Sequence, residues 1–462
     1  MKQRTINAII MAILISFGAA GCGNTTSSDI SSNSSASVQS STVVTEKTQT
    51  SSQAAESNSA TTTTTSAAQT ESSEETNSDS VKADAAVSES SDFMAVSTSF
   101  TGSANGAIDT TDAFSDRDLR QEADLSKAET ITVKDGENVE ITEAGIYVLT
   151  GTASDMTVTV NADSEAKVQL VLDGLEINNS SAPAITVASA DKVFITTAEG
   201  SVSNLNVTGA FSGEEDAVIY SKDDLVFGGL GTLNISSSGK AVDGKDDVKF
   251  TGGTYNITAG TSAVKANDTI MICGGTFNID AGSDAFHSEN TEDDSLGLVY
   301  IADGTFNISA GSDGIQGNGV VQIDGGSFDI SASEGIESTF IQINGGNITI
   351  SASDDGINAT TKSSAYSVAV EINGGDLNIT MGQGDTDAVD ANGNIYVNGG
   401  TINITSTVSS FDYDGTAEYN GGTIIINGEQ VSEIPMEMMG GGMMGGGRGG
   451  MMQGGMGRGA RA

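Results

Sequence analysis

The fold is decided by the stretch Gly-Gly-Thr-Phe-Asn-Ile at residues 274–279, because near-copies of it recur along the chain. The copies recur with a period of about 22 residues, lengthened at some steps, and such a period is typical of a solenoid. Within the copy, the apolar Phe277 and Ile279 flank the polar Asn278, which is the period of two of a β-strand. The glycines that mark the copies are Gly231, Gly253, Gly275, Gly304, Gly326, Gly346, Gly375, Gly400 and Gly422.

A repeat of about 22 residues has room for three short strands and their turns, which make one coil of a parallel β-helix. No segment keeps a helical period, and glycine interrupts the pattern too often for helices. The stretches at 145–149 and 168–172 are apolar and less regular, which suits the first coils and the cap that such a stack needs. The sequence therefore predicts an all-β protein in which residues 109–428 form a right-handed parallel β-helix.

The net charge limits the kinds of partner that the protein can bind, and the cysteine count limits its disulfides. The 462 residues include 62 acidic and 19 basic side chains, for a formal net charge of -43. This charge argues against nucleic acid as a partner, because phosphate binding needs clustered Lys and Arg. The negative charge indicates either that cations are partners or that the charge only keeps the protein soluble. With only Cys22 and Cys273, the chain has no disulfide framework, and Cys273 is predicted to be an inert buried thiol.

The N-terminal segment has the features of a secretory signal. Lys2 and Arg4 precede an apolar stretch at 9–17 that is too short to span a membrane. The small residues before Cys22 resemble a bacterial lipobox, which implies a diacylglycerol group on Cys22. We expect residues 1–21 to be a signal peptide and Cys22 to anchor a secreted protein at the cell surface.

Two further segments are of low complexity. Residues 22–108 are rich in Ser, Thr and Ala and hold too few large apolar residues to fold, so we interpret them as a flexible linker. Residues 429–462 form a tail rich in Met and Gly. Copper binding by its methionines is one interpretation of this tail, and a low-complexity segment without a ligand is the other.

A carboxylate follows each Gly-Gly strand at the same place in five consecutive repeats. Carboxylates stacked roughly 4.8 Å apart repel each other by about 3–4 kcal/mol at an effective dielectric near 20, so a counter-ion is expected. Ca²⁺ prefers carboxylate and carbonyl oxygens, which neighbouring turns supply. The alternative is that these aspartates only shape tight turns by bonding their own backbone. The predicted calcium ligands are Asp284, Asp313, Glu334, Asp355, Asp385, Asp387, Asp390, Asp412 and Asp414.

Polar side chains inside the repeated strands form a second series. They offer hydroxyl and amide groups along one face, as an extended sugar chain requires, although ordinary solvent-facing strand residues have the same pattern. The absence of Trp argues against a flat aromatic platform for glycans. The predicted substrate-binding residues are Asn256, Asn278, Asn307 and Asp329.

Residues 113–428 resemble a known group of bacterial, largely clostridial, surface proteins, the carbohydrate-binding domain-containing proteins. The resemblance rests on the stretches at 114–119, 145–152, 168–175 and 217–225 and on the Gly-Gly and Asp-Gly repeats. It implies a calcium-binding β-helix related in shape to pectate lyases, binding of polysaccharides such as cellulose and polygalacturonate, and no catalysis. This chain departs from the commoner Asp-Gly of that group at Asp284-Ala285, Glu334-Gly335 and Asp387-Ala388.

A polysaccharide lyase or hydrolase on the same fold is the rival interpretation. A lyase needs a strong base, often Arg, and no arginine occurs between Arg120 and Arg448. A hydrolase needs paired carboxylates, which Asp246-Asp247 or Asp354-Asp355 would supply, but no basic substrate clamp accompanies them. We therefore predict no catalytic residues. The lysines left open as a lyase base are Lys222, Lys240, Lys245 and Lys265.

The sequence as a whole predicts a monomeric, lipid-anchored surface protein that binds uronate-rich or plant-type polysaccharide. Because the chain is strongly acidic, we expect Ca²⁺ to bridge its carboxylates to those of the glycan. The membrane is expected to be a partner only through the lipid anchor. A structural adhesin with the same fold and no glycan ligand is the further alternative.

Overall fold

The computed structural model describes residues 108–384 and 386–435. Several predicted features lie outside the described residues: the signal peptide, the lipidation site Cys22, the linker up to residue 107, the tail from residue 436 and the ligand Asp385. In the described part, regular structure is β-strand except for one short 3-10 helix, Leu125–Lys127, so the all-β class is confirmed. No helix in these two ranges is long and apolar enough to cross a membrane.

The described strands are numbered in chain order. They are β1 Glu129–Thr132, β2 Val139–Ile141, β3 Gly145–Ser154, β4 Val158–Asn161, β5 Lys167–Asn179, β6 Ile185–Ser189, β7 Lys192–Thr197, β8 Val202–Val207, β9 Ala217–Ser221, β10 Asp224–Gly229, β11 Thr232–Ser237, β12 Lys240–Gly244, β13 Val248–Ala259, β14 Val264–Ala266, β15 Thr269–Ala281, β16 Phe286–Ser288, β17 Leu298–Ile301, β18 Thr305–Ala310, β19 Asp313–Ile323, β20 Ser327–Ala332, β21 Glu334–Ile343, β22 Asn347–Ala352, β23 Ile357–Ala359, β24 Ala369–Ile372, β25 Asp376–Met381, β26 Asp387–Ala391, β27 Asn394–Val397, β28 Thr401–Thr405, β29 Ser409–Tyr413, β30 Ala417–Tyr419, β31 Thr423–Ile426 and β32 Glu429–Val431. The strand β32 lies beyond the predicted domain end at residue 428.

Strands pair in parallel with the equivalent strands of the repeats before and after them. In the central ladder, Phe277 of β15 lies opposite Phe306 of β18, which lies opposite Phe328 of β20. Among the described strands, the pairing of β31 with β32 is antiparallel. Because every copy of the Gly-Gly stretch is held in the same register, a residue type repeated in the sequence becomes a column of side chains.

The core is formed by the side chains that face inward from the strands. Phe277 and Ile279 are buried whereas Asn278 between them is exposed, as the alternation predicts. The ring of Phe306 is stacked between those of Phe277 and Phe328, with centroids 4.9 and 4.4 Å away. Cys273, predicted to be buried, is only half-buried, and burial raises the pKa of its thiol to about 12.

The second glycine of the repeat is required where one turn stacks on the next. Gly400 has a φ of +79°, a conformation that side chains other than glycine rarely adopt. A Cβ atom at this position would also lie 2.7 Å from the carbonyl oxygen of Gly375 in the preceding repeat. The repeated glycines therefore follow from the close approach of stacked turns.

Residues 108–121, called here the strap, lie across the outside of strands from several repeats. Gln322 on β19 accepts a hydrogen bond of 2.9 Å from the backbone of Ile108. Lys249 on β13 donates to a strap carbonyl at 2.8 Å, and the guanidinium of Arg117 lies 4.3 Å above the ring of a β7 phenylalanine. The strap thus ties together strands that are distant in sequence.

Replacing Gln121 by Ala is expected to lower the free energy of unfolding by about 1–3 kcal/mol, because a buried donor loses its partner. The Gln121 amide accepts from the backbone N–H of Gly229 at 2.8 Å and donates to the carbonyl of Thr251 at 3.0 Å. Urea unfolding measures the loss, and the Gly229 amide should exchange faster with solvent. The exposed neighbour Glu122→Ala is the control, and equal effects of the two changes would contradict the prediction.

Candidate functional site

The predicted carboxylates of five consecutive repeats lie in one column, called here the acidic column and formed by Asp284, Asp313, Glu334, Asp355 and Asp387. Asp313 and Glu334 are direct partners in the parallel register. The backbone N–H of Asp313 donates to the Asp284 carboxylate at 3.4 Å, and that of Asp387 donates to the Asp355 carboxylate at 3.1 Å. Stacking of the coils thus brings these side chains together as the spacing predicts.

A second column runs beside the acidic column, three residues later in each repeat. It contains His287, Gln316, Glu337, Asn358 and Asp390 in register. The His287 ring pairs through Nδ1 with the first residue of the acidic column at 2.7 Å, and Gln316 donates to Glu337 at 2.6 Å. His287 thus contacts a carboxylate of the acidic column, whereas Gln316 and Glu337 contact each other within the second column.

Asp313, Glu334 and Glu337 form a close group of carboxylates. One carboxylate oxygen of each lies within 4.8 Å of those of the other two. The Asn358 amide donates to Glu334 at 3.0 Å, and Lys362 pairs with Glu337 at 2.6 Å. Sequence analysis predicted the first two carboxylates and not Glu337, although the polar column to which Glu337 belongs is visible in the sequence.

Burial and neighbouring carboxylates raise the pKa values of three residues of the acidic column, Asp313, Glu334 and Asp355. Burial, followed by the nearby Glu337 and Asp284, raises the pKa of Asp313 to about 8. Burial and Glu337 raise the pKa of Glu334 to about 7, and burial raises that of Asp355 to about 6. Burial also acts to raise the pKa of Asp284, but the His287 hydrogen bond outweighs it and the pKa lies below its ordinary value.

The predicted ligands of the last repeats, Asp390, Asp412 and Asp414, are more loosely arranged than the group around Glu334. Asp390 and Asp412 are partners in the register, and burial, with Asp355 and Asp387 as the next causes, raises the pKa of Asp390 to about 7. Asp412 and Asp414 contribute to this shift, so both lie near Asp390. Within the described residues, however, these side chains do not form a three-carboxylate group as close as the one around Glu334.

A second close group, Asp246, Asp247 and Asp268, is one that the sequence analysis did not assign to a metal. Their oxygens also lie within 4.8 Å of one another. Burial, and then Asp224, Asp247 and Asp268, raises the pKa of Asp246 to about 7. Asp224, Asp246 and Asp268 are equally spaced in the sequence, at the commonest repeat length, and this spacing was the signal that could have identified the group.

The predicted substrate-binding residues share another column, on the ladder that contains β13, β15, β18 and β20. Asn256, Asn278, Asn307 and Asp329 are successive partners in register. Asn278 donates through its amide to Asn256 at 2.8 Å, and Asn256 donates to the asparagine one repeat earlier at 2.7 Å. Each such amide keeps one N–H and one lone pair for a ligand.

This asparagine column lies in an open groove of about 500 Å³. Three of the four predicted substrate-binding residues line the groove, and Asp329 does not. Asp280 is the one charged residue of its lining. The groove therefore offers a mainly uncharged hydrogen-bonding surface.

Three comparisons with known proteins each found a match. A family model described as carbohydrate-binding domain-containing protein matches residues 135–386 and 339–437. A carbohydrate-binding domain-containing protein of Acetivibrio thermocellus is 34% identical over 122 residues, which are 25% of this chain and 43% of that protein. A solved structure titled as a polysaccharide lyase-like protein from C. thermocellum, gadolinium derivative, superposes with a TM-score of 0.39 at 23% identity, covering 64% of this chain and 96% of the other.

Proposed function

This chain belongs to the family of carbohydrate-binding domain-containing proteins, and we propose that it binds polysaccharide in a calcium-dependent manner without catalysis. The observation that carries the calcium dependence is the convergence of Asp313, Glu334 and Glu337 within 4.8 Å. The glycans that we propose as ligands are plant-type or uronate-rich. Their carboxylates would be repelled by a chain of net charge -43 unless a cation lies between them.

The residues around Glu334 fit a calcium ion. Ca²⁺ takes about six to eight oxygen ligands and mixes carboxylates with amide carbonyls. Among the described residues nothing donates to the buried side-chain oxygen of Asn358, whose amide nitrogen contacts Glu334. Asp313, Glu334, Glu337 and this oxygen would hold the ion, whose charge would favour the ionised carboxylates. Lys362 already offsets one of the three negative charges.

The ion pairs of three candidate lysine bases support binding without catalysis. A general base must lose its proton near neutral pH. Lys240 pairs with Asp216 at 2.6 Å, and although burial acts to lower its pKa, its carboxylate partners raise the pKa above the ordinary value. Lys245 and Lys265 also pair with carboxylates, at 3.0 and 3.1 Å. The raised pKa keeps Lys240 protonated, so it cannot accept a proton from substrate, and the ion pairs engage Lys245 and Lys265 with carboxylates of the protein.

We extend the proposal to the architecture and location of the protein. The parallel pairing of strands one repeat apart supports a parallel β-helix in which each repeat forms one coil, and we propose that this helix is right-handed. We propose that the protein is a monomer held at the cell surface by a lipid on Cys22, with residues 23–108 as the tether.

Retention of the full chain on immobilised polygalacturonate and cellulose tests the proposal. We expect retention on at least the acidic glycan in Ca²⁺ and release by EDTA, with no new reducing or unsaturated ends in the eluate. Appearance of such ends would identify a hydrolase or a lyase instead. Retention that is unchanged by EDTA would contradict the role of calcium, and no retention on any glycan would favour an adhesin.

A further inference from the structure

The connection between β23 and β24, residues 360–368, places one lysine at the three-carboxylate group around Glu334. The Lys362 ammonium lies 2.6 Å from Oε2 of Glu337, and among the described residues it is the one cation paired with this group. We propose that Lys362 is a built-in counter-ion that competes with calcium at this group and thereby sets its calcium affinity. The inference rests on the proposed function in one respect, namely that the group holds calcium.

The backbone of Lys362 is fixed to the strand that carries Glu337. The N–H groups of Lys362 and Ser363 both donate to the hydroxyl of Thr339 at 2.9 Å. Thr339 is buried on β21, and its own hydroxyl donates to the carbonyl of Asn318 at 2.7 Å. The backbone at Lys362 is therefore held beside the site, and only the flexible four-carbon side chain can carry the charge away.

The connection that carries Lys362 is also supported by the insertion between β16 and β17. The Ser363 hydroxyl donates to the backbone carbonyl of Asp294 at 2.6 Å, and the Tyr366 hydroxyl donates to that of Ser295 at 2.8 Å. The ring of Tyr366 packs against a buried apolar cluster on the neighbouring strands. The placement of Lys362 thus depends on contacts between two insertions and the strands below them.

The positive charge of Lys362 opposes a divalent cation at the same carboxylates. Lys362 and Gln316 both donate to Oε2 of Glu337, each at 2.6 Å, so this oxygen is occupied while the ion pair is intact. Calcium affinity in proteins depends on the charge count of the ligands, and the ammonium cancels one of three negative charges. An ammonium at this distance also repels a Ca²⁺ ion held by the group. Calcium and Lys362 therefore compete for Glu337, and the lysine weakens calcium binding.

Isothermal titration of the full chain with CaCl₂, after removal of metal, measures this effect. Lys362→Gln removes the charge and Lys362→Arg keeps it. Lys265→Gln is the matched control, because the Lys265 side chain is 21% exposed against 24% for Lys362 and pairs with Glu289 at 3.1 Å, outside the three-carboxylate group. Combining Lys362→Gln with Glu334→Gln tests whether the change acts through this group, since changes within one network are not additive.

We expect Lys362→Gln to bind calcium about tenfold more tightly, which corresponds to about 1.4 kcal/mol. Lys362→Arg keeps the charge and Lys265→Gln changes a more distant one that salt screens, so both should stay within about twofold of the unchanged chain. In the Glu334→Gln background, Lys362→Gln should lose most of its gain, because the group then lacks a ligand.

An equal or weaker affinity in Lys362→Gln, or an equal gain in Lys265→Gln, would overturn the role of Lys362 and leave the calcium site standing. A full gain in the Glu334→Gln background would do the same. No calcium binding by any of these chains would overturn the calcium dependence in the proposed function together with this inference.

Acylation of lysines in the unchanged chain is a second measurement, which needs no substitution. Competition for Glu337 should make Lys362 react faster with an N-hydroxysuccinimide ester in CaCl₂ than in EDTA, because calcium releases its amine from the carboxylate. Mass spectrometry of the peptides that contain Lys362 and Lys265 measures both rates, and the rate at Lys265 should not change. Equal rates at Lys362 in the two solutions, in a chain that binds calcium, would overturn the inference.

Discussion

Calcium at about one hundred times its Kd is expected to stabilise the folded chain at pH 8 by about 2.7 kcal/mol for each occupied site, and by much less at pH 5. For a domain of this size, such a gain raises the melting temperature by about 5 °C. The physical reason is that the site must be ionised to bind a cation. Asp313 has a pKa raised to about 8 and Glu334 one raised to about 7, so both are largely protonated at pH 5.

Without metal, the same carboxyl groups should make the fold less stable as the pH rises. A group whose folded pKa lies above its unfolded value stabilises the fold below the unfolded pKa, and this contribution is lost as the pH rises through the folded pKa. For Asp355, Glu334 and Asp313, whose pKa values are raised to about 6, 7 and 8, the loss falls between about pH 4 and pH 8. Thermal melts followed by circular dichroism at pH 5 and pH 8, in EDTA and in CaCl₂, measure both effects.

The variant Glu334→Gln separates calcium binding from general charge effects. Its amide cannot ionise, so the chain in EDTA should be more stable at pH 8 than the unchanged chain and should respond less to calcium. Glu122→Gln makes the same substitution at an exposed position and should leave both quantities unchanged. A calcium response that is equal at the two pH values, or equal in Glu334→Gln, would show that the ion is not held by the acidic column.

Replacing Phe306 by Ala is expected to lower the free energy of unfolding by about 3–5 kcal/mol. The ring is buried and nearly parallel to its neighbours, with interplanar angles of 2° to Phe277 and 3° to Phe328. Its removal leaves a cavity between two repeats whose backbones are held apart by their own hydrogen-bonded ladders, so collapse is limited. Neighbouring repeats stabilise one another in a stack, and the loss therefore weakens both adjoining interfaces.

Equilibrium urea unfolding of Phe306→Ala measures this loss. The exposed Thr305 precedes Phe306 on the same strand, and Thr305→Ala is the matched control, for which we expect a change below about 0.5 kcal/mol. A loss below about 1 kcal/mol in Phe306→Ala, on the scale expected for core deletions, would mean that the aromatic stack does not carry the stability of these repeats.

Regular spacing explains what sequence analysis identified correctly. The alternation of Phe277, Asn278 and Ile279 predicts the all-β class, because a strand directs successive side chains to opposite faces. The repeat positions of Asn256, Asn278 and Asn307 predict that they share one face, and the structure places them in one column. The same reasoning, applied to Asp224, Asp246 and Asp268, would have predicted the second acidic group.

Contacts between irregular segments could not be predicted from regular spacing in the sequence. The strap reaches Thr251 from Asp118, which is distant in sequence, and Lys362 reaches Glu337 from a connection between two strands. Neither contact has a counterpart in the other described repeats, so no periodicity indicates it.

The sequence by itself determined the strand class, the repeat and the identity of the side chains that stack, because these depend on local alternation and on a constant period. Only the tertiary structure decided which of the stacked carboxylates converge. Asp313, Glu334 and Glu337 meet within 4.8 Å, whereas Asp412 and Asp414 lie in a looser arrangement near Asp390. The physical reason is that ligand geometry depends on the lengths of the connections and on the reach of each side chain, and both vary from one repeat to the next.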